Sequence, residues 1–191
     1  MIGSPPYTIF SKLRSMCNHK RDPKAVEAEE REGRHHLKVA CELYKKQAQK
    51  GKNFLHEHPE KASSWKTDDV ESVKKLDGTK DVHGNEIHIY VVKGPMCHWG
   101  LKATDRSTNQ NGLVQRETVW MTNCKRLAEL LEQVCDNKKD DKRKWHRHVQ
   151  LVGGLAKGAQ CYTPVLVKAI LQTIKDTLEI EGEVNQMTHA T

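Results

Sequence analysis

The spacing of apolar positions predicts helices alternating with short strands. Asp22 is a good N-cap and Pro23 a good first helical residue, so a long helix is expected over 23–50. Its apolar stripe is Ala25, Ala28, Leu37, Val39, Ala40, Leu43, Tyr44 and Ala48, strongest after Leu37. Glu27, Glu29, Glu30 and Glu32 lie early and Lys45, Lys46 and Lys50 late, which suits the helix dipole, and Gly51 suits the C-cap. Residues 53–59, Asn-Phe-Leu-His-Glu-His-Pro, read as a short buried strand ending in a polar loop.

A second helix is expected over 67–76, capped by Thr67, with Val70, Val73 and Leu76 inward. Residues 87–92 alternate and are rich in β-formers, which predicts a strand broken by Gly94-Pro95. Residues 102–116 are polar and read as an exposed excursion, and 117–121 as another strand. Thr122 or Asn123 can cap a helix over 124–135 whose face is Leu127, Leu130, Leu131 and Val134. A final helix over 163–178 packs through Val165, Leu166, Ala169, Ile170 and Ile174, and residues 179–191 form a polar tail expected to fray. Helix, glycine, short apolar strand is the grammar of an α/β fold.

Composition bounds what such a chain does. Its 191 residues hold 32 Lys+Arg against 25 Asp+Glu, a net charge of +7, which points weakly to a polyanionic partner such as DNA or RNA. Four Trp, four Tyr and two Phe make a lean aromatic core. No run approaches the length of a membrane span and no signal peptide is legible, so no membrane partner is expected. The six cysteines (Cys17, Cys41, Cys97, Cys124, Cys135, Cys161) contain no CxxC pair and read as reduced thiols, which suits an intracellular setting, nuclear or cytoplasmic.

Three constellations carry candidate chemistry. Ser4-Pro5-Pro6-Tyr7 is a stiff extended loop whose prolines remove two donors, leave carbonyls as acceptors and present an aromatic ring. Such a loop suits a flat ligand bearing an amino group; it also suits an ordinary rigid turn. Glu57, just past a strand, sits where open α/β sheets bind ligands. Cys135, His146 and His148 offer metal donors, because histidines at i and i+2 share one side of a strand; the same residues suit a basic surface loop, and no metal ligand is assigned. Met96-Cys97-His98-Trp99 reads as core beneath a loop. Lys142, Arg143, Lys144, Trp145 and Arg147 lie in a charged run that could grip a phosphate backbone and stack a base, or simply be solvated.

Taken in order, these motifs resemble the second half of a class I S-adenosylmethionine-dependent methyltransferase of the DNA-base type, and more closely the methyltransferase-like domains of retrotransposon-type polyproteins. The residues that carry the resemblance are Ser4 to Thr8, Glu57-His58-Pro59, Ser64-Trp65, Cys97 to Gly100, Met121-Thr122-Asn123, His146 and His148, Gly153-Gly154, and Ala159-Gln160 with Tyr162. The resemblance implies an α/β fold, a Rossmann-like three-layer sandwich incomplete at the N-terminus, with residues 1–178 as its C-terminal part. It implies a base-side site of Ser4, Pro5, Pro6, Tyr7 and Glu57. Tyr7 is either the aromatic that stacks on an extruded base or the replacement of a nucleophilic cysteine, whose thiolate a phenol does not match. The family's cofactor turn, a strand running through Gly-x-Gly into a helix, is nowhere in the sequence. S-adenosylmethionine is therefore expected only if an N-terminal half is supplied, and the chain reads as a fragment inactive alone. The alternatives are a non-catalytic nucleic-acid-binding module and a zinc-bound interaction module.

Overall fold

The structure, a computed structural model, describes residues 1–138, 145–151 and 161–188. The chain divides into two compact units, one of Met1–Lys93 with Thr118–Ala128 and one of Gly94–Glu117 with Glu129–Thr191. It is a mixed α/β protein with two small sheets, ordered β1-β2-β6-β3 and β4-β5-β7. The sequence expectation of an α/β class holds at this level.

In the first unit, β1 (Ile2–Gly3) is followed by a 3-10 turn at Thr8–Phe10, α1 (Lys12–Cys17) and the long α2 (Pro23–Gln49). Asp22 caps α2 by accepting from the Lys24 amide at 3.2 Å, and Gly51 turns the chain out of it at φ +67°. The buried face of α2 is Gly33, Leu37, Cys41, Tyr44 and Ala48, a clean i, i+4, i+8, i+11, i+15 line. Val39 and Leu43, counted in the apolar stripe from sequence, lie off that line and stay about two-fifths exposed. Cys41, not counted there, is core.

Strand β2 (Leu55–Pro59) runs parallel to β1 and antiparallel to β6 (Glu117–Thr122), with Leu55 beside Ile2 and Glu57 beside Trp120. Flanked on both edges, it buries Leu55, His56, Glu57 and His58 in succession rather than alternating. The core joins Phe10, Leu37, Cys41, Tyr44, Ala48, Phe54, Val70, Val73, Ile87 and Met121. α3 (Asp68–Lys74) supplies Val70 and Val73. Thr67 precedes it without a capping bond to α3, because its hydroxyl donates to the Ser64 carbonyl at 2.8 Å. The strand expected at 87–92 is displaced toward the C-terminus: β3 is Tyr90–Pro95, because the Ile87 amide is drawn to the Thr79 carbonyl and its carbonyl to the Gly78 amide. α4 spans Lys125–Leu131 rather than 124–135; Val134 lies beyond it, 80 % exposed, instead of on its inner face.

In the second unit, the excursion expected at 102–116 is a hairpin. β4 (Lys102–Asp105) pairs antiparallel with β5 (Gln110–Val114), and Asn109 takes the left-handed conformation at φ 52° near the turn. Strand β7 (His148–Val149) adds parallel to β5, with Leu113 beside His148. Gly112 is required there, since a Cβ would stand 2.7 Å from the Arg147 carbonyl oxygen. α5 (Pro164–Thr188) buries Leu166 and Ile170, leaves Val165 62 % exposed, and continues through residues read from sequence as tail. Among the described residues, no helix is long and apolar enough to cross a membrane.

Candidate functional site

The end of β1 and the middle of β2 bring Ser4 and Glu57 together; Glu57, expected just past a strand, lies within β2 beside Trp120. β1 and β2 are parallel neighbours joined through α2, so Ser4 and Glu57 meet: the Ser4 hydroxyl donates to a Glu57 carboxylate oxygen at 2.9 Å. Glu57 is 3 % exposed. The expectation of free carbonyls in the Ser4–Tyr7 loop is corrected at Pro5, whose carbonyl accepts from His58 Nε2 at 2.8 Å. A carbonyl cannot donate, so His58 carries a proton on Nε2, and its Nδ1 lies 2.6 Å from the Ser64 hydroxyl oxygen. The Tyr7 carbonyl accepts from the Phe10 amide at 2.9 Å. Tyr7 is half-buried with its ring edge-on to His58, centroids 6.2 Å apart. Pro6 is exposed and borders a cleft of about 260 Å³ that reaches Arg14, Glu29 and His36.

The loop is held from behind by residues whose sequence motif gave no role. Trp65 Nε1 donates to the Pro59 carbonyl at 3.0 Å, and Ser64 is the partner of His58. On the same side of β2, with its ring centroid 4.6 Å from that of His58, His56 has its Nδ1 3.1 Å from the Tyr44 hydroxyl. Burial pushes the Tyr44 phenol well up, so the hydroxyl is the donor. Burial, with the neighbouring His58 second, pulls His56 well below the ordinary imidazole range and keeps it neutral. Met121-Thr122-Asn123 also acquires a structural role: the Thr122 hydroxyl donates to the Phe54 carbonyl at 2.5 Å, and Asn123 takes the Phe54 amide at 2.8 Å and the Lys52 carbonyl at 3.1 Å.

The second unit holds a different cluster. Cys135, His146 and His148, weighed as metal donors from sequence, converge with Cys97, read there as core. One donor atom from each of the four residues lies within 4.8 Å of the others. Cys135 Sγ is 3.6 Å from His146 Nε2 and 3.4 Å from His148 Nε2, and the two Nε2 atoms are 2.9 Å apart. Cys97 is both things at once, 4 % exposed and aimed into the cluster. Burial pushes its thiol up to about 12, with its hydrogen bond to Cys135 next, and burial followed by His146 lowers His148. All six cysteines are free thiols.

The basic run is described only in part. Lys142, Arg143 and Lys144 lie outside the described residues, as do Gly153, Gly154, Ala159 and Gln160. The Arg147 guanidinium is engaged by Asp105 at 3.2 Å, Thr108 at 3.0 Å and Gln110. Trp145 is 52 % exposed and lines a groove of about 510 Å³ with Lys102, Asn111 and Leu113. Comparison with family models, curated proteins and solved structures finds no match for this chain.

Proposed function

We propose that the first unit is the base-side part of a methyltransferase-like domain of the kind carried by retrotransposon polyproteins, recognising a flat ring with an exocyclic amino group. The observation that carries this reading is the hydrogen bond from Ser4, just past the carboxyl end of β1, to Glu57 in the middle of the adjacent parallel strand β2. The carboxyl end of a parallel strand, where Ser4 lies, is where open α/β sheets receive ligands. In this reading the amino group of a nucleobase donates to Glu57 in place of the Ser4 hydroxyl, and the Tyr7 ring offers a stacking face. Pro5 and His58 brace the loop rather than meet the ligand, because each satisfies the other. A Rossmann-like arrangement with the sheet at its centre belongs to the same reading. Methyl transfer would require S-adenosylmethionine, and the sequence has no Gly-x-Gly turn to hold it; recognition without transfer is expected of this chain.

The test is equilibrium binding of nucleosides and short single-stranded DNA and RNA oligonucleotides. Base–aromatic stacking contributes about 1–3 kcal/mol, so Tyr7→Ala is expected to weaken binding roughly fivefold to 150-fold, and Glu57→Gln to weaken amino-bearing bases selectively. Binding indifferent to both substitutions but abolished by Trp145→Ala and Lys102→Ala would overturn this reading. It would favour the non-catalytic nucleic-acid-binding alternative, centred on the groove in the second unit.

A further inference from the structure

The geometry points to a zinc site in the second unit, formed by Cys97, Cys135, His146 and His148. The donor set is two thiol sulfurs and two imidazole nitrogens, the set that selects zinc over oxygen-seeking cations. With Zn–S of about 2.3 Å and Zn–N of about 2.0–2.1 Å, a tetrahedron requires N···N of roughly 3.3 Å and S···N of roughly 3.6 Å. The S···N separations here are 3.6 and 3.4 Å, and N···N is 2.9 Å. Four donor atoms all within 4.8 Å of one another leave room for one ion, not for a cluster of several metals.

The backbone builds the site from three separate stretches. Cys97 comes from a tight turn: the His98 amide donates to the Pro95 carbonyl at 3.2 Å, and the Gly100 amide to the Cys97 carbonyl at 3.1 Å, with Gly100 at φ +73°. His146 and His148 are placed on one side by the extended chain leading into β7, while Arg147 between them turns away to Asp105, Thr108 and Gln110. Cys135 lies two residues before Asn137, whose side chain clamps both backbone groups of His146, at 2.7 and 3.0 Å. A chain of ordinary hydrogen bonds does not need two ring nitrogens and two sulfurs directed at a common point; a metal ion does.

Four protein ligands close the coordination shell, so the role is structural rather than catalytic. Two thiolates and two neutral imidazoles leave the loaded site without net charge. The ion staples the turn at Cys97, the segment after α4 and strand β7 to one another, giving the lean second unit a fixed point. The inference stands apart from the nucleobase reading, which concerns other residues in the other unit.

The experiment is metal analysis of the purified whole chain, followed by removal of metal with a chelator and titration with zinc or cobalt(II) alone. One zinc per chain is expected. The cobalt form should show the visible bands of a tetrahedral ion with thiolate charge transfer, and bound zinc should shield two thiols from a thiol reagent. Cys135→Ser and His148→Gln should each weaken zinc binding at least about a hundredfold, whereas Cys161→Ser, an exposed cysteine outside the cluster, should not. Should a variant fail to fold, the cobalt spectrum and thiol count of the unmodified chain decide. A chain that binds no zinc after reloading, an octahedral cobalt spectrum, iron–sulfur absorption, or equal losses for Cys161→Ser and Cys135→Ser would overturn the assignment.

Discussion

Asn137 holds His146 by both of its backbone groups: Nδ2 donates to the His146 carbonyl at 2.7 Å, and Oδ1 accepts from the His146 amide at 3.0 Å. One side chain thereby fixes the distance between the segment that carries Cys135 and the strand that carries both histidines. Groups that orient metal ligands typically contribute about 10–100-fold to metal affinity. Asn137→Ala is accordingly expected to weaken zinc binding by that order while keeping one ion per chain, as measured by competition with a chromophoric chelator. An unchanged affinity would show that β7 is positioned without the clamp.

Gly3 and Tyr44 set a second, more local constraint. A Cβ on Gly3 would stand 2.1 Å from the Tyr44 hydroxyl oxygen, itself 3.1 Å from His56 Nδ1. Gly3→Ala should destabilise the first unit by about 1–3 kcal/mol through overpacking. Tyr44→Phe should cost about 1–3 kcal/mol, because it leaves the buried His56 Nδ1 without its donor. The double variant should cost less than the sum, since removing the hydroxyl makes room for the methyl group. Denaturant titration of the four proteins measures the coupling, and strict additivity would contradict the contact.

The neutral His56 predicts a pH dependence. Its pKa is depressed in the folded chain, chiefly by burial. Below the ordinary imidazole value of 6.5, the unfolded chain takes up a proton that the folded chain refuses. Stability therefore rises with pH through this window and is lost as pH falls below about 6.5, by up to about 1.4 kcal/mol per pH unit from this group. His56→Gln should flatten the slope of the unfolding free energy between about pH 6.5 and about pH 5.5. An unaltered slope would mean that His56 titrates normally.

Glu29 tests the docking of the chain before α2. The side-chain hydrogen bonds of Arg21 and then Arg14 hold its carboxyl down, from 4.5 to about 2. Because the folded value is the lower one, the contribution is present above about pH 4.5 and is lost as pH falls toward 2. Titration of the Glu29 side-chain carbon by NMR should show a midpoint near 2. In Arg21→Ala the midpoint should move back toward the normal carboxylate range; no movement would dismiss the ion pair as its cause.

What the sequence made legible was local. The start and end of α2 followed from Asp22, Pro23 and Gly51, because capping and glycine conformation act within a few residues. The alternation of His146 and His148 onto one side was legible for the same reason. Leu37, Tyr44 and Ala48 were recognised as core, whereas Val39 and Leu43 were not distinguishable from them, since only packing selects which edge of a wide apolar stripe is covered. The hairpin of β4 and β5 escaped because its strands are polar and its pairing is supplied by the partner strand rather than by burial.

The meeting of Ser4 with Glu57 follows in part from sequence, as two strands separated by a crossover helix; their parallel adjacency, and the place of Glu57 inside β2 rather than past its end, are properties of the sheet. The fourth metal donor was beyond local reasoning altogether. A buried cysteine next to Met96 and Trp99 has the sequence surroundings of an ordinary core residue, and nothing near Cys97 in the chain announces two histidines and another cysteine. Only the turn at Gly100, the addition of β7 to β5 and the Asn137 clamp bring Cys97, Cys135, His146 and His148 to a common point. The sequence determined which donor atoms exist and the short-range periodicity that aims them. The tertiary structure decided which of them share a centre, because that distance is the sum of contacts made far apart along the chain.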